Sequence, residues 1–124
     1  MDVKSTVEQG PQWQAAREAV REAKQARLVM KNYTQVVHQL PLLLQRHGLG
    51  QTLVYLRMRG GGNPASHFDL LARQLDRWLQ ESVDTSPRGA LVTLAAKDSR
   101  FYREASEHVW LWVRALRASV EERQ

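Results

Sequence analysis

Apolar residues recur at every third or fourth position along most of this chain, and polar residues fill the gaps between them. Such spacing puts one stripe on one face of a helix. In a first segment, 11–30, Trp13, Ala16, Ala19, Val20, Ala23, Ala26 and Met30 share a face. A second, 31–47, carries Tyr33, Val36, Val37, Leu40, Leu43 and Leu44. Pro41 has no amide hydrogen and crowds the preceding turn, which predicts a kink or break near Leu40. A third segment, 49–59, presents Leu49, Leu53 and Leu56, and Gly60-Gly61-Gly62 ends it. A fourth, 64–82, presents Phe68, Leu71, Ala72, Leu75, Trp78 and Leu79. A short fifth, 87–97, presents Leu91, Leu94 and Ala95. The sixth, 99–121, presents Phe101, Tyr102, Ala105, Val109, Trp112, Val113, Leu116 and Val120.

Start signals agree with these divisions. Pro11 follows Gly10 as a first-turn proline, and Asn63-Pro64 and Ser86-Pro87 each read as a cap followed by proline. Asp98 or Ser99 can cap the last helix. Sustained period-two alternation is missing, so strands are not expected. The pattern predicts an all-α fold, a compact single-domain bundle of about six helices over 11–124, with 1–10 as a flexible N-terminal tail.

Composition narrows the function classes. The chain has 124 residues and no cysteine, so it suits one domain without disulfides or thiolate metal sites. A reducing, cytoplasmic setting is expected. The polar start lacks the apolar stretch of a signal peptide, and no run approaches the roughly 20 apolar residues of a membrane span. Net charge is +5, all of it from the first half: residues 1–62 hold nine Lys/Arg against four Asp/Glu, and the rest hold nine of each. Between Glu22 and Asp69 lie Lys24, Arg27, Lys31, Arg46, Arg57 and Arg59 but no acid. A single-sign region of this length favours polyanionic partners.

Four groups of residues are candidates for chemistry. On the first helix Arg17, Arg21, Lys24 and Lys31 project within about 80° of one another, with Arg27 beside the apolar face. Glu18 and Glu22 occupy a separate strip. Such a row can follow a phosphate backbone, each neutralised phosphate releasing a counterion. On the last helix Trp110 stands off the apolar stripe near Arg103, Arg114 and Arg117, an arrangement that can stack bases or anchor a partner protein. The loop Arg57-Met58-Arg59-Gly60-Gly61-Gly62-Asn63 is basic and flexible but lacks the ending of a phosphate-cradling loop. Finally, Arg103 and His108 fit the short Arg-to-His pattern of HEPN-like helical ribonucleases. With fourteen arginines and four histidines, about one such match arises by chance. Glu104 and His108 supply too few ligands for a metal site, and His38, His47 and His67 have no partner at ligand spacing. No catalytic motif, cofactor or metal is expected. A helical DNA-binding regulator is the rival reading, with 31–47 and 49–59 forming a helix-turn-helix; its second helix offers few base-reading side chains beyond Gln51 and Arg57.

One stretch is distinctive: Leu40-Pro41-Leu42-Leu43-Leu44, then Gly48-Leu49-Gly50-Gln51-Thr52-Leu53-Val54-Tyr55-Leu56. With Lys31 and Tyr33, Leu75, Trp78 and Leu79, and Tyr102, Arg103 and Ala105, it resembles the small-subunit family of the type III-B CRISPR RNA-targeting (Cmr) complex. The motif itself reads as architecture: Gly48 and Gly50 permit a tight turn and close helix approach, and Gln51 or Thr52 can satisfy exposed amides. The resemblance implies a helical, non-nucleolytic subunit for antiviral defence. It would stack beside copies of itself and other Cmr-complex subunits and face the guide and target RNA. The basic row Arg17, Arg21, Lys24, Arg27 and Lys31 would then hold RNA backbone without reading bases.

Overall fold

The computed structural model describes residues 10–26, 30–63, 66–83 and 99–122. Helix α1, Pro11–Gln25, starts where expected. Gly10 is extended at its N-cap, Pro11 occupies the first turn, and the amides of Trp13 and Gln14 donate to the Gly10 carbonyl at 3.0 and 3.2 Å. Proline is suited to that place because its missing N–H would have no helical partner anyway. The helix stops at Gln25 instead of running to residue 30, and Ala26 caps its end.

Helix α2, Met30–Gly60, joins the second and third predicted segments. Helical torsions continue through Pro41, so the expected break near Leu40 is not there. The hydrogen bond lost at Pro41 is offset by burial of Tyr33, Val36, Val37, Leu40 and Leu44 along the same face. The chain departs from helical geometry at Gly48, with φ 78° and ψ 173°. Only glycine takes up that region readily. A single-residue break leaves no room for the three- or four-residue turn of a helix-turn-helix.

The bend at Gly48 is plugged from the far end of the sequence. The Gly50 amide donates to the Tyr102 hydroxyl at 3.0 Å, and the Thr52 hydroxyl donates to the Gly48 carbonyl at 2.7 Å. Thr52 therefore supplies a donor to a carbonyl rather than an acceptor for an amide, and Gln51 is exposed. The glycine-rich motif and the Tyr102 motif, far apart in sequence, meet as one joint.

Helix α2 ends at the glycine run, where Gly61 and Gly62 have positive φ. Gly60 is buried against the start of α3: a methyl group there would lie 2.9 Å from the Asp69 Cβ. Helix α3, His67–Ser82, is capped by Ser66, whose hydroxyl accepts from the Phe68 amide at 3.2 Å. Ser66, three residues past the expected Asn63, does the capping. Helix α4 runs Ser99–Glu122. The predicted helix over 87–97, its Ser86-Pro87 start and the Asp98 cap lie outside the described residues. The described residues thus form four helices, not about six, and contain no strand.

The stripes meet in one core. Helix α2 packs most heavily on α3, α1 on α4, and α4 also crosses α2 and α3. Trp112, Tyr33, Leu40, Leu49, Leu53, Leu56, Leu71, Leu75, Leu79 and Leu116 are fully buried within it. Trp78 ties α3 to α4 by donating its indole N–H to the His108 carbonyl at 2.8 Å. No described helix is long and apolar enough to cross a membrane.

Candidate functional site

The α1 row is narrower than the sequence suggests. Arg17, Arg21 and Lys24 lie on one strip of α1, within about 60° in projection. Arg21 and Lys24 are exposed and Arg17 is half-buried. Lys31 is exposed but belongs to the first turn of α2, so it does not extend the row along one straight helix. Arg27 lies outside the described residues. The cause is the early stop at Gln25, which sequence periodicity alone does not reveal.

Of the acidic strip of the same helix, Glu22 is withdrawn from the row by a polar network inside the bundle, while Glu18 is exposed. Gln74 of α3 is buried; its amide donates to the Ala19 carbonyl and to Glu22 Oε1, each at 2.9 Å. Its Oε1 accepts from the buried Tyr33 hydroxyl at 2.7 Å. Arg77 closes on the other side, with Nη2 3.2 Å from Glu22 Oε2. Burial alone would push the Glu22 carboxyl up, but the hydrogen bonds from Gln74 and Arg77 and the charges of Arg77 and Arg73 outweigh it and hold the group below its usual range. Burial, then the Glu22 charge, push the Tyr33 phenol above its usual range, so it stays a donor to Gln74. Glu22 is thereby committed to α3, and its charge is balanced there.

On the neighbouring edge of α1, where Glu18 lies, a cleft of about 450 Å³ runs between α1, α3 and α4. Ala15, Trp78 and Leu111 form its apolar wall, and Glu18 and Glu81 its acidic rim. Leu111 is 43% exposed, a large apolar side chain open to solvent at the cleft's edge.

On α4, Arg103, Trp110, Arg114 and Arg117 fall within about 60° in projection, as the periodicity requires. The three arginines are exposed and Trp110 is half-buried against the core. Trp110, Leu111, Glu107 and Arg114 line a shallow depression. Arg117 reaches towards α2, its Nε 3.5 Å from His38 Nδ1, and His38 Nε2 lies 3.8 Å from Glu121. Arg103 and His108 project about 140° apart around α4, so one copy of the helix does not bring them to one reacting atom.

The basic residues of the segment Arg57 to Asn63 lie in the last turn of α2 and are also partly spoken for. Arg57 pairs with Asp76 of α3 at 3.3 Å. Arg59 instead lies over Phe68, beside Tyr55 and His67. Sequence reasoning marked the two arginines but missed this aromatic group, because Tyr55 stands off the stripe of Leu49, Leu53 and Leu56 while Phe68 reads as part of the stripe of a separate segment.

A family model described as CRISPR-associated protein (Cas_Cmr5) matches residues 9–121, nearly the whole chain and all four helices but for the last residue of α4. No curated protein and no solved structure matches the chain.

Proposed function

The chain belongs to the Cas_Cmr5 family of CRISPR-associated proteins, small subunits of the type III-B (Cmr) complex, and from that premise we propose that it is a non-catalytic scaffold which packs against neighbouring subunits, copies of itself included, and holds guide and target RNA by the backbone. Its setting would be the cytoplasm, in antiviral defence. The observation that carries the RNA part is the α1 strip of Arg17, Arg21 and Lys24, from which Glu22 is drawn away by Gln74 and Arg77. Cations presented along a helix bind phosphates without selecting sequence, which suits a complex that accepts any guide. Cleavage would belong to another subunit.

The packing part is supported by the cleft on the neighbouring edge of α1. An apolar wall with an acidic rim is a protein-docking surface more than an RNA one, since Glu18 and Glu81 repel phosphate. The strip Arg103, Trp110, Arg114 and Arg117 supplies a second partner or RNA contact on α4.

The test is Arg21→Glu with Lys24→Glu, both exposed, in the assembled complex. Target-RNA retention is expected to fall, and the slope of log K against log salt to flatten by about 1.5 for two lost phosphate contacts. Thermal unfolding of the variant checks that the fold is intact. Unchanged retention and slope would remove α1 from the RNA-binding surface.

A further inference from the structure

A hollow of about 410 Å³ lies where the first turns of α2, its last turns and the start of α3 meet. The α1 row does not use it. One wall is aromatic. Tyr55 and Phe68 stand edge to face, with ring centres 6.3 Å apart at 82°. The His67 ring lies 4.4 Å from Phe68, tilted by 35°. The Arg59 guanidinium sits 5.1 Å from the centre of the Phe68 ring. The other wall is amide: Asn32, Gln35 and Gln39 follow one strip of α2, with buried Val36 between them.

The residue types decide what such a hollow fits. Tyr55 is 36% exposed, so part of its ring is open to a flat ligand. Arg59 is exposed and already held over Phe68, so little rotamer freedom is lost when it meets an anion. Each side-chain amide offers both donors and an acceptor, matching the mixed edges of a nucleobase. Among the described residues no carboxylate lines the hollow, and the nearby Asp69 is engaged by Arg73 at 3.0 Å. Burial, and then the Arg59 charge, hold His67 below its usual pKa, so near neutral pH it contributes a ring without a charge. A site for phosphate alone would need more cations, and a groove for an apolar peptide would need an apolar second wall. Rings, a guanidinium and amides around one hollow are the means by which proteins hold unpaired bases.

The geometry points to a base-holding site formed by Tyr55, Arg59, His67 and Phe68 with Asn32, Gln35 and Gln39, which takes an unpaired nucleobase of an RNA strand. Arg59 lies at its edge, and Lys31, exposed one turn before Gln35, is placed to meet the adjoining phosphates. The site gives Lys31 a role apart from the α1 row. It rests on the reading that this chain meets RNA in the complex, but not on which helix grips the backbone.

The test uses the assembled complex with RNA carrying 4-thiouridine at successive unpaired positions. Photocrosslinks are mapped by mass spectrometry, and the full-length chain is titrated in parallel with single-stranded RNA, blunt duplex RNA and free mononucleotides. Crosslinks at Tyr55, His67 or Phe68 are expected. Tyr55→Ala should weaken single-strand binding about tenfold and leave duplex binding unchanged, while Tyr55→Phe keeps the stack and the affinity. Arg59→Gln should also weaken the single strand. Crosslinks confined to α1 or α4 would overturn the base site and leave the scaffold reading standing. Absence of crosslinks anywhere on the chain would overturn both. Mononucleotides that bind in place of the strand would overturn the strand as occupant.

Discussion

Gly48→Ala is expected to destabilise the protein by about 3 kcal/mol, a fall in Tm of about 10 °C. Two effects add. With φ 78° and ψ 173°, Gly48 sits in a region that residues with a Cβ scarcely enter. A methyl group there would also lie 2.8 Å from the Tyr102 hydroxyl, closer than such contacts allow. That hydroxyl cannot simply move, because it accepts the Gly50 amide at the same joint. Thermal or urea unfolding measures the loss. Tyr102→Phe relieves the contact but leaves the backbone strain and takes the acceptor from the Gly50 amide, so the two effects are separated by the coupling energy of the double-mutant cycle, expected to be less than half of the Gly48→Ala loss. Wild-type stability in Gly48→Ala would mean that α2 does not turn at Gly48.

Gln74→Leu is expected to cost about 3 kcal/mol although leucine matches glutamine in size. The substitution leaves the Tyr33 hydroxyl buried with no acceptor and takes one donor each from Glu22 and the Ala19 carbonyl. An unpaired buried hydroxyl costs roughly 1–3 kcal/mol, whereas removing both partners can be nearly neutral. Tyr33→Phe added to Gln74→Leu should therefore recover about 1–2 kcal/mol, read as the coupling energy of a double-mutant cycle. Simple additivity would show that the bond between Tyr33 and Gln74 contributes nothing. The network also bears on the RNA surface, since Gln74 and Arg77 keep Glu22 turned from Arg17, Arg21 and Lys24.

Helix class, the apolar faces and the terminators Gly10-Pro11 and Gly60-Gly61-Gly62 were legible because they depend on neighbours three or four residues away. Long-range choices were not. Pro41 and Gly48 both signal a break, and nothing local says that the core residues around Leu40 hold the helix through Pro41 while Tyr102 stabilises the turn at Gly48. The end of α1 was misplaced for a related reason: Ala26 and Met30 continue the stripe's period, yet the helix stops at Gln25. That stop removed Lys31 from the row. Gln74 could be seen as a polar residue next to an apolar stripe, but its partners Ala19, Glu22 and Tyr33 belong to two other helices. The base-holding hollow draws on residues 32 to 68 across two helices. Its one local trace was Arg59 in a span without acids.

The most direct test of the scaffold role is to purify the tagged full-length chain from its own cells without crosslinking. Sequencing of the bound RNA and mass spectrometry of the bound proteins then read the outcome. Guide RNAs of defined length together with several larger protein subunits are the predicted result. Recovery of the chain alone, or with DNA, would contradict it.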